Sequence, residues 1–103
     1  MYIECLIPGV QIAYDAYRAS LGGQPAPVID GTSGDQRFYL GWAQVWRRNY
    51  REANLRSRLL TDPHAPSTQR TWIVRNFDPW YREFNVQPGQ KLYLDPNQRV
   101  RIW

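Results

Sequence analysis

The chain has 103 residues, of which 43% are hydrophobic and 15% aromatic, and its formal net charge is +4. This is the length of one domain or less, with too much apolar side chain for a disordered protein. The single cysteine, Cys5, excludes an internal disulfide and a cysteine-based zinc cluster, and the absence of any run of 18 apolar residues excludes a membrane span.

The first predicted element is a helix over residues 9–21, where apolar side chains recur at helical spacing. Gly22 and Gly23 predict a left-handed end to that helix. Residues 24–32, with two prolines and a glycine, predict a loop. The predicted apolar face of the helix consists of Val10, Ala13, Tyr14, Tyr17 and Leu21.

A capping box predicts the start of the second helix, because Gln36 follows Ser33 by three residues. That helix is predicted over residues 34–50, and its apolar face is typical of core rather than of a ligand site. A third helix is predicted over residues 52–60. The predicted apolar face of the second helix consists of Phe38, Tyr39, Trp42, Val45, Trp46 and Tyr50.

The C-terminal third is predicted to hold short elements. Residues 71–75 favour a strand over a helical turn, because two β-branched residues follow a tryptophan. Asp78 and Pro79 predict the cap and first residue of another short helix. The other predicted segments are turns at 87–90 and 95–98, an extended piece at 91–94 and a docked end at 100–103.

The only histidine, His64, lies in a loop between Pro63 and Pro66, and Arg70 follows six residues later. Proline lacks an N–H and disfavours helix in the residue before it, so the imidazole is held in an extended or turned segment. A guanidinium suits carbonyl or carboxylate oxygens. The pair is therefore a candidate for polarising a substrate, and the alternative is a surface-loop histidine with an unrelated arginine.

No complete catalytic motif accompanies this pair. One histidine cannot supply a His-Glu-x-x-His zinc helix, and the sequence has no Gly-x-Ser-x-Gly elbow and no Gly-x-Gly-x-x-Gly loop. Residues 31–34 precede a helix and could bind an anion, although helix capping explains them. The sequence thus holds at most half of a catalytic apparatus.

Four blocks of the sequence carry a resemblance to a known family, and they are residues 9–17, 35–46, 61–66 followed by Arg70, and 93–103. In order and spacing they resemble the C-terminal end of the neprilysin-like zinc metallopeptidases, over about residues 9–103. The bacterial oligopeptidase branch is the most similar, because Val86 and Val100 stand near the positions of paired cysteines in the secreted animal branch.

The resemblance implies a mainly α fold, here a small helical fragment of a zincin-type catalytic domain with short extended pieces and turns near the C-terminus. In that family a His-Glu-x-x-His helix binds zinc, and its glutamate activates the zinc-bound water. His64 matches the histidine that donates to the oxyanion, and Arg70 matches the arginine that binds a substrate carbonyl. Asp62 is near enough in sequence to orient either group.

The family's zinc ligands have no counterpart in this sequence. Its Glu-x-x-x-Asp segment would place Tyr2 and Leu6 at the two acidic positions. Glu4 is two positions from the ligand site and points about 200° away around a helix. We therefore expect residues 1–8 to be a leader foreign to the family, either disordered or introduced by cloning. Residues 9–103 are expected to be the C-terminal part of a metallopeptidase catalytic domain.

These observations predict the C-terminal portion of a zinc metalloendopeptidase that hydrolyses peptides, with zinc in the intact enzyme and none in this chain. Alone, the chain is expected to be inactive and to self-associate, because the N-terminal part of the catalytic domain is missing. The alternatives are a non-catalytic helical protein-interaction domain and a basic nucleic-acid-binding module using Arg47, Arg48 and Arg51. The resemblance is compatible with a periplasmic or secreted enzyme, although no export signal is found in the chain.

Overall fold

Residues 6–102, which a computed structural model describes, form five α-helices and two short 3₁₀ segments, with no β-strand among them. The predicted mainly α fold is confirmed. The predicted leader falls partly outside this range, since residues 1–5 lie outside the described residues and residues 6–8 form the first turn of a helix. The helices are α1 (Leu6–Ser20), α2 (Gly34–Val45), α3 (Glu52–Thr61), α4 (Ser67–Thr71) and α5 (Asp78–Phe84), and the 3₁₀ segments are Trp72–Asn76 and Pro96–Gln98.

Local capping signals act as predicted. Gly22 and Gly23, which follow the last residue of α1, have φ angles of 59° and 82°. Both angles lie in the left-handed region that commonly terminates a helix. Ser33 Oγ accepts a hydrogen bond from the Gln36 backbone N–H at 3.1 Å, while the Ser33 N–H donates to Gln36 Oε1 at 2.9 Å. The capping box thus satisfies two N–H groups at the start of α2.

Two predicted elements are wrong. Helix α2 ends at Val45 rather than at residue 50, and the chain then forms a loop up to Arg51. Residues 71–75 form helical turns rather than a strand. Ile73 and Val74 enter the core from the 3₁₀ segment, with 1% and 7% of their surface exposed, so burial overrides the strand preference of β-branched residues.

The C-terminal residues are docked on α5 largely by polar contacts. Arg99 is 8% exposed, packs 3.6 Å from the centre of the Tyr81 ring and pairs with Asp78 at 3.0 Å. The Val100 N–H donates to Asn76 Oδ1 at 2.8 Å. Asp78 was predicted to cap α5; instead Phe77 is the cap residue, and Asp78 binds the two arginines of the tail.

A buried carboxylate joins three helices beside the core. Asp35 is 5% exposed, accepts a hydrogen bond from the Tyr14 hydroxyl at 2.7 Å, and lies 3.4 Å from Arg18 and 3.6 Å from Arg82. Burial, together with the bond to Asp35, raises the pKa of Tyr14 to about 12. The phenol therefore stays a hydrogen-bond donor at neutral pH, which keeps the buried carboxylate paired.

The core brings α1, α2 and the first 3₁₀ segment together, and α4 leads directly into that segment. Its buried members are Ile7, Val10, Tyr39, Ile73, Val74 and Phe77. Val45, predicted to be core, is instead 70% exposed and lies at the edge of an apolar groove between α1 and α2 of about 320 Å³. No helix among residues 6–102 has the length and hydropathy needed to cross a membrane.

Candidate active site

The aspartate that follows α3 organises the histidine loop. Asp62 Oδ1 accepts a hydrogen bond from the backbone N–H of His64 at 2.9 Å and lies 2.9 Å from Nδ1 of the imidazole. An aspartate that binds the backbone two residues on is a common way to fix a tight turn. The His64 side chain is 56% exposed, so its ring is held on one side by Asp62 while remaining accessible.

The arginine lies on α4, directly after that loop. Its Nε donates to the carbonyl oxygen of Ala65 at 2.7 Å, and its guanidinium carbon lies 4.6 Å from the centre of the Trp46 ring. These contacts use the Nε–H and one face of the guanidinium. The terminal nitrogens carry four further N–H donors of the kind that binds carbonyl oxygens.

All three residues singled out from the sequence line one cleft. Asp62, His64 and Arg70 line a cavity of about 50 Å³ whose walls come from α3, the loop that follows it and α4. Ala65, whose carbonyl holds Arg70, is 2% exposed and forms part of its floor. The geometry places an imidazole, its carboxylate partner and a guanidinium beside the same space.

The cleft also contains residues whose importance the sequence did not indicate. Tyr50, assigned to the apolar face of α2, lies in the loop after that helix, and its hydroxyl contacts Ser67 Oγ at 2.9 Å. The guanidinium carbons of Arg48 and Arg58 lie 4.6 and 5.8 Å from the Tyr50 ring centre. No local pattern could have found this cluster, because Tyr50 and Ser67 are 17 residues apart.

The cleft does not fit a zinc site. Within residues 6–102, no group of three or more His, Cys, Asp or Glu side chains lies close enough together to hold a metal ion. A catalytic zinc needs three such protein ligands, whereas the cleft has one carboxylate and one imidazole among several arginines.

The Asp62 turn is expected to respond to acid. Hydrogen bonds from the His64 backbone N–H and then from its ring lower the pKa of Asp62. A carboxyl whose pKa is depressed on folding stabilises the fold above its unfolded pKa and loses that effect as the pH falls through the folded value. The turn should therefore stay intact through the ordinary aspartate range and open only below it.

The measurement is the backbone amide shift of His64 followed by NMR from about pH 5 to about pH 2, the range in which aspartates titrate. Asp62→Asn is the control and should show no such transition at His64, since the asparagine side chain carries no titrating proton. A transition at or above the usual aspartate value would contradict the assignment.

The profile of peptidase family M13 matches residues 7–100 of this chain. The chain belongs to peptidase family M13. This is the neprilysin family, as the sequence blocks predicted. Neprilysin-1 of Caenorhabditis elegans is 34% identical to this M13 chain over 101 residues, which cover 92% of the chain and 13% of that protein.

Solved structures extend the similarity to the fold. The cryo-EM structure of the Mycobacterium tuberculosis zinc metalloprotease Zmp1 in its open state matches 94% of the M13 chain at 50% identity with a TM-score of 0.90. The crystal structure of Zmp1 with an inhibitor matches 92% at 51% identity with a TM-score of 0.88. This level of sequence identity to a bacterial enzyme agrees with the predicted resemblance to the bacterial branch of the family.

The M13 chain spans only a small part of these relatives. It covers 13% of the length of the C. elegans protein and 15% of each solved Zmp1 chain. It thus corresponds to a segment of an M13 protease.

Proposed function

We propose that this chain supplies the oxyanion-binding and substrate-binding side of the active site of an M13 zinc metalloendopeptidase. The observation that carries the proposal is the placement of Asp62, His64 and Arg70 around one cleft. Family membership and the 0.90 TM-score to a zinc metalloprotease support it. Zinc, when bound by other polypeptide of the enzyme, supplies the activated water.

The roles follow from what peptide hydrolysis requires. Negative charge develops on the former carbonyl oxygen in the transition state, and a fixed donor aimed at it lowers the barrier. In the proposal His64 is that donor, and Asp62 holds its ring from the Nδ1 side at 2.9 Å. Arg70 binds a backbone carbonyl of the substrate, and its Nε bond to Ala65 fixes the direction of the guanidinium.

The isolated chain is expected to cleave no peptide and to bind no stoichiometric zinc, because its described residues include no three-ligand cluster. Metal analysis after dialysis, together with an assay on an unstructured peptide, tests this expectation. One equivalent of tightly held zinc with measurable cleavage would show that the chain is a complete enzyme.

The isolated chain is also expected to self-associate. The α1–α2 groove is lined by apolar side chains, and Val45 at its edge is 70% exposed. An apolar face of this kind is normally covered in a soluble protein, and the remainder of an M13 chain is the proposed cover. Sedimentation should show oligomers that Val45→Ser reduces, whereas Leu60→Ser at a separate exposed site should not. A monomer that binds no hydrophobic dye would argue against this.

The proposed function is tested in a chimera. Residues 9–103 replace the matching segment of M. tuberculosis Zmp1, with which this chain shares 50% identity. The chimera is expected to cleave a peptide substrate of Zmp1. A chimera that folds and binds zinc but leaves the peptide intact would contradict the proposal.

A further inference from the structure

We propose that Tyr50 is a positioning residue that holds the His64 loop and the Arg70 helix in one arrangement. The inference rests on the proposed function, since it explains how the two groups come to face the same cleft. Tyr50 does not need to touch substrate for this role. It acts through one contact with α4 and another with α3.

The first contact is made by the phenol oxygen with the start of α4. The backbone N–H of Ser67 donates to Tyr50 Oη at 3.1 Å, and Ser67 Oγ lies 2.9 Å from the same oxygen. Ser67 is 5% exposed and is the first residue of α4. The first N–H groups of a helix lack partners within it, and Pro66 offers no side-chain cap. The Tyr50 hydroxyl therefore takes the place of a local cap.

The second contact joins the ring of Tyr50 to the histidine loop. The guanidinium of Arg58 lies 5.8 Å from the ring centre, and its Nη1 lies 3.4 Å from Asp62 Oδ2. Asp62 in turn holds His64 through Oδ1. A continuous set of contacts thus runs from Ser67 through Tyr50, Arg58 and Asp62 to the imidazole.

The electrostatics of the site agree with this arrangement. The contact with the Ser67 hydroxyl and the hydrogen bond from the Ser67 backbone N–H, aided by Arg48 and Arg58, lower the pKa of Tyr50. This direction agrees with a phenol oxygen that accepts the Ser67 N–H, as a cap does. A tyrosine that served only as core packing would show the opposite shift, as Tyr39 does in the buried cluster.

The hydroxyl is isolated by Tyr50→Phe, which keeps the ring and both cation–π contacts. The chain contains a single histidine, so its ring nitrogens give unambiguous NMR signals. In Tyr50→Phe the His64 ring nitrogen shifts should change, and the Arg70 Nε–H should exchange with solvent about tenfold faster, because a buried N–H at Ser67 loses its partner. Exchange of the α1 amides should stay the same.

Tyr93→Phe is the matched control, because Tyr93 also carries an arginine on its ring, with Arg99 at 5.5 Å, but it packs on Tyr81 at the C-terminal end. It should leave the His64 and Arg70 signals as in the wild type. Equal changes in both variants would overturn the proposal. So would a uniform acceleration of exchange that included α1, since it would show loss of stability alone.

If Tyr50→Phe does not fold, Ser67→Ala answers the same question. It removes the hydroxyl contact and keeps the backbone bond, so a smaller change at the same two residues is expected, and a uniform change overturns the proposal. These signals are read in the chain without substrate. An inactive chimera would therefore count against the proposed function, while unchanged NMR signals would count against Tyr50.

Discussion

Replacement of His64 by alanine in the Zmp1 chimera is expected to lower kcat by about 10²–10³-fold, with KM close to that of the parent chimera. The physical reason is that the imidazole donates to an oxygen that becomes strongly negative only in the transition state. An interaction made only there changes the rate and not the ground-state affinity. Steady-state kinetics on one peptide give both parameters.

Two further variants make this result specific. Arg70→Ala should raise KM, because a substrate carbonyl is bound both before and during the reaction. Arg47→Ala, at an exposed position of the loop after α2, should match the parent chimera. Zinc content should be the same in all of them, since the cleft lacks a ligand set. Loss of zinc from the His64 variant would assign the imidazole to the metal and contradict the proposed role.

Replacement of Ile73 by alanine is expected to cost about 2–5 kcal/mol of unfolding free energy. Ile73 is 1% exposed and lies in the core cluster that joins the first 3₁₀ segment to α1 and α2. Removing its outer carbons leaves a cavity that the packed neighbours cannot fill. Because α4, which carries Arg70, leads directly into this 3₁₀ segment, we expect the cavity to weaken the packing that holds Arg70 in place.

Urea unfolding, monitored by circular dichroism, measures this change. The Ile73→Ala variant should unfold at a lower midpoint urea concentration, with a similar slope of unfolding free energy against urea concentration. Leu60→Ala is the control, because that side chain is 88% exposed, and its effect should stay within about 0.5 kcal/mol. Equal midpoints for the two variants would mean that Ile73 is not part of a packed core.

Features that depend on neighbours in the chain could be predicted. The capping box at Ser33, the left-handed glycines after α1 and the histidine turn are formed by residues within about three positions of one another. Their hydrogen bonds close without help from the rest of the fold. The resemblance to the family could also be predicted from the sequence, because its four blocks consist of particular residue types at fixed spacings.

Features that depend on contacts between residues far apart in the sequence could not be predicted. Ile73 and Val74 have strand-type side chains but enter the core from a 3₁₀ segment, because burial there outweighs backbone preference. Tyr50 has the spacing of a helical core residue, yet α2 ends before it and its hydroxyl binds Ser67 across 17 residues. Val45 has the same spacing and is exposed.

The cleft depends on both short-range and long-range contacts. The sequence alone predicted that Asp62 orients either the imidazole or the guanidinium, and the structure pairs it with His64, two residues further along the chain. The position of Arg70 beside them, and the contacts of Tyr50 that hold α4, exist only after folding. Each needs partners from separate helices, and only packing of the whole chain brings those partners within hydrogen-bond distance.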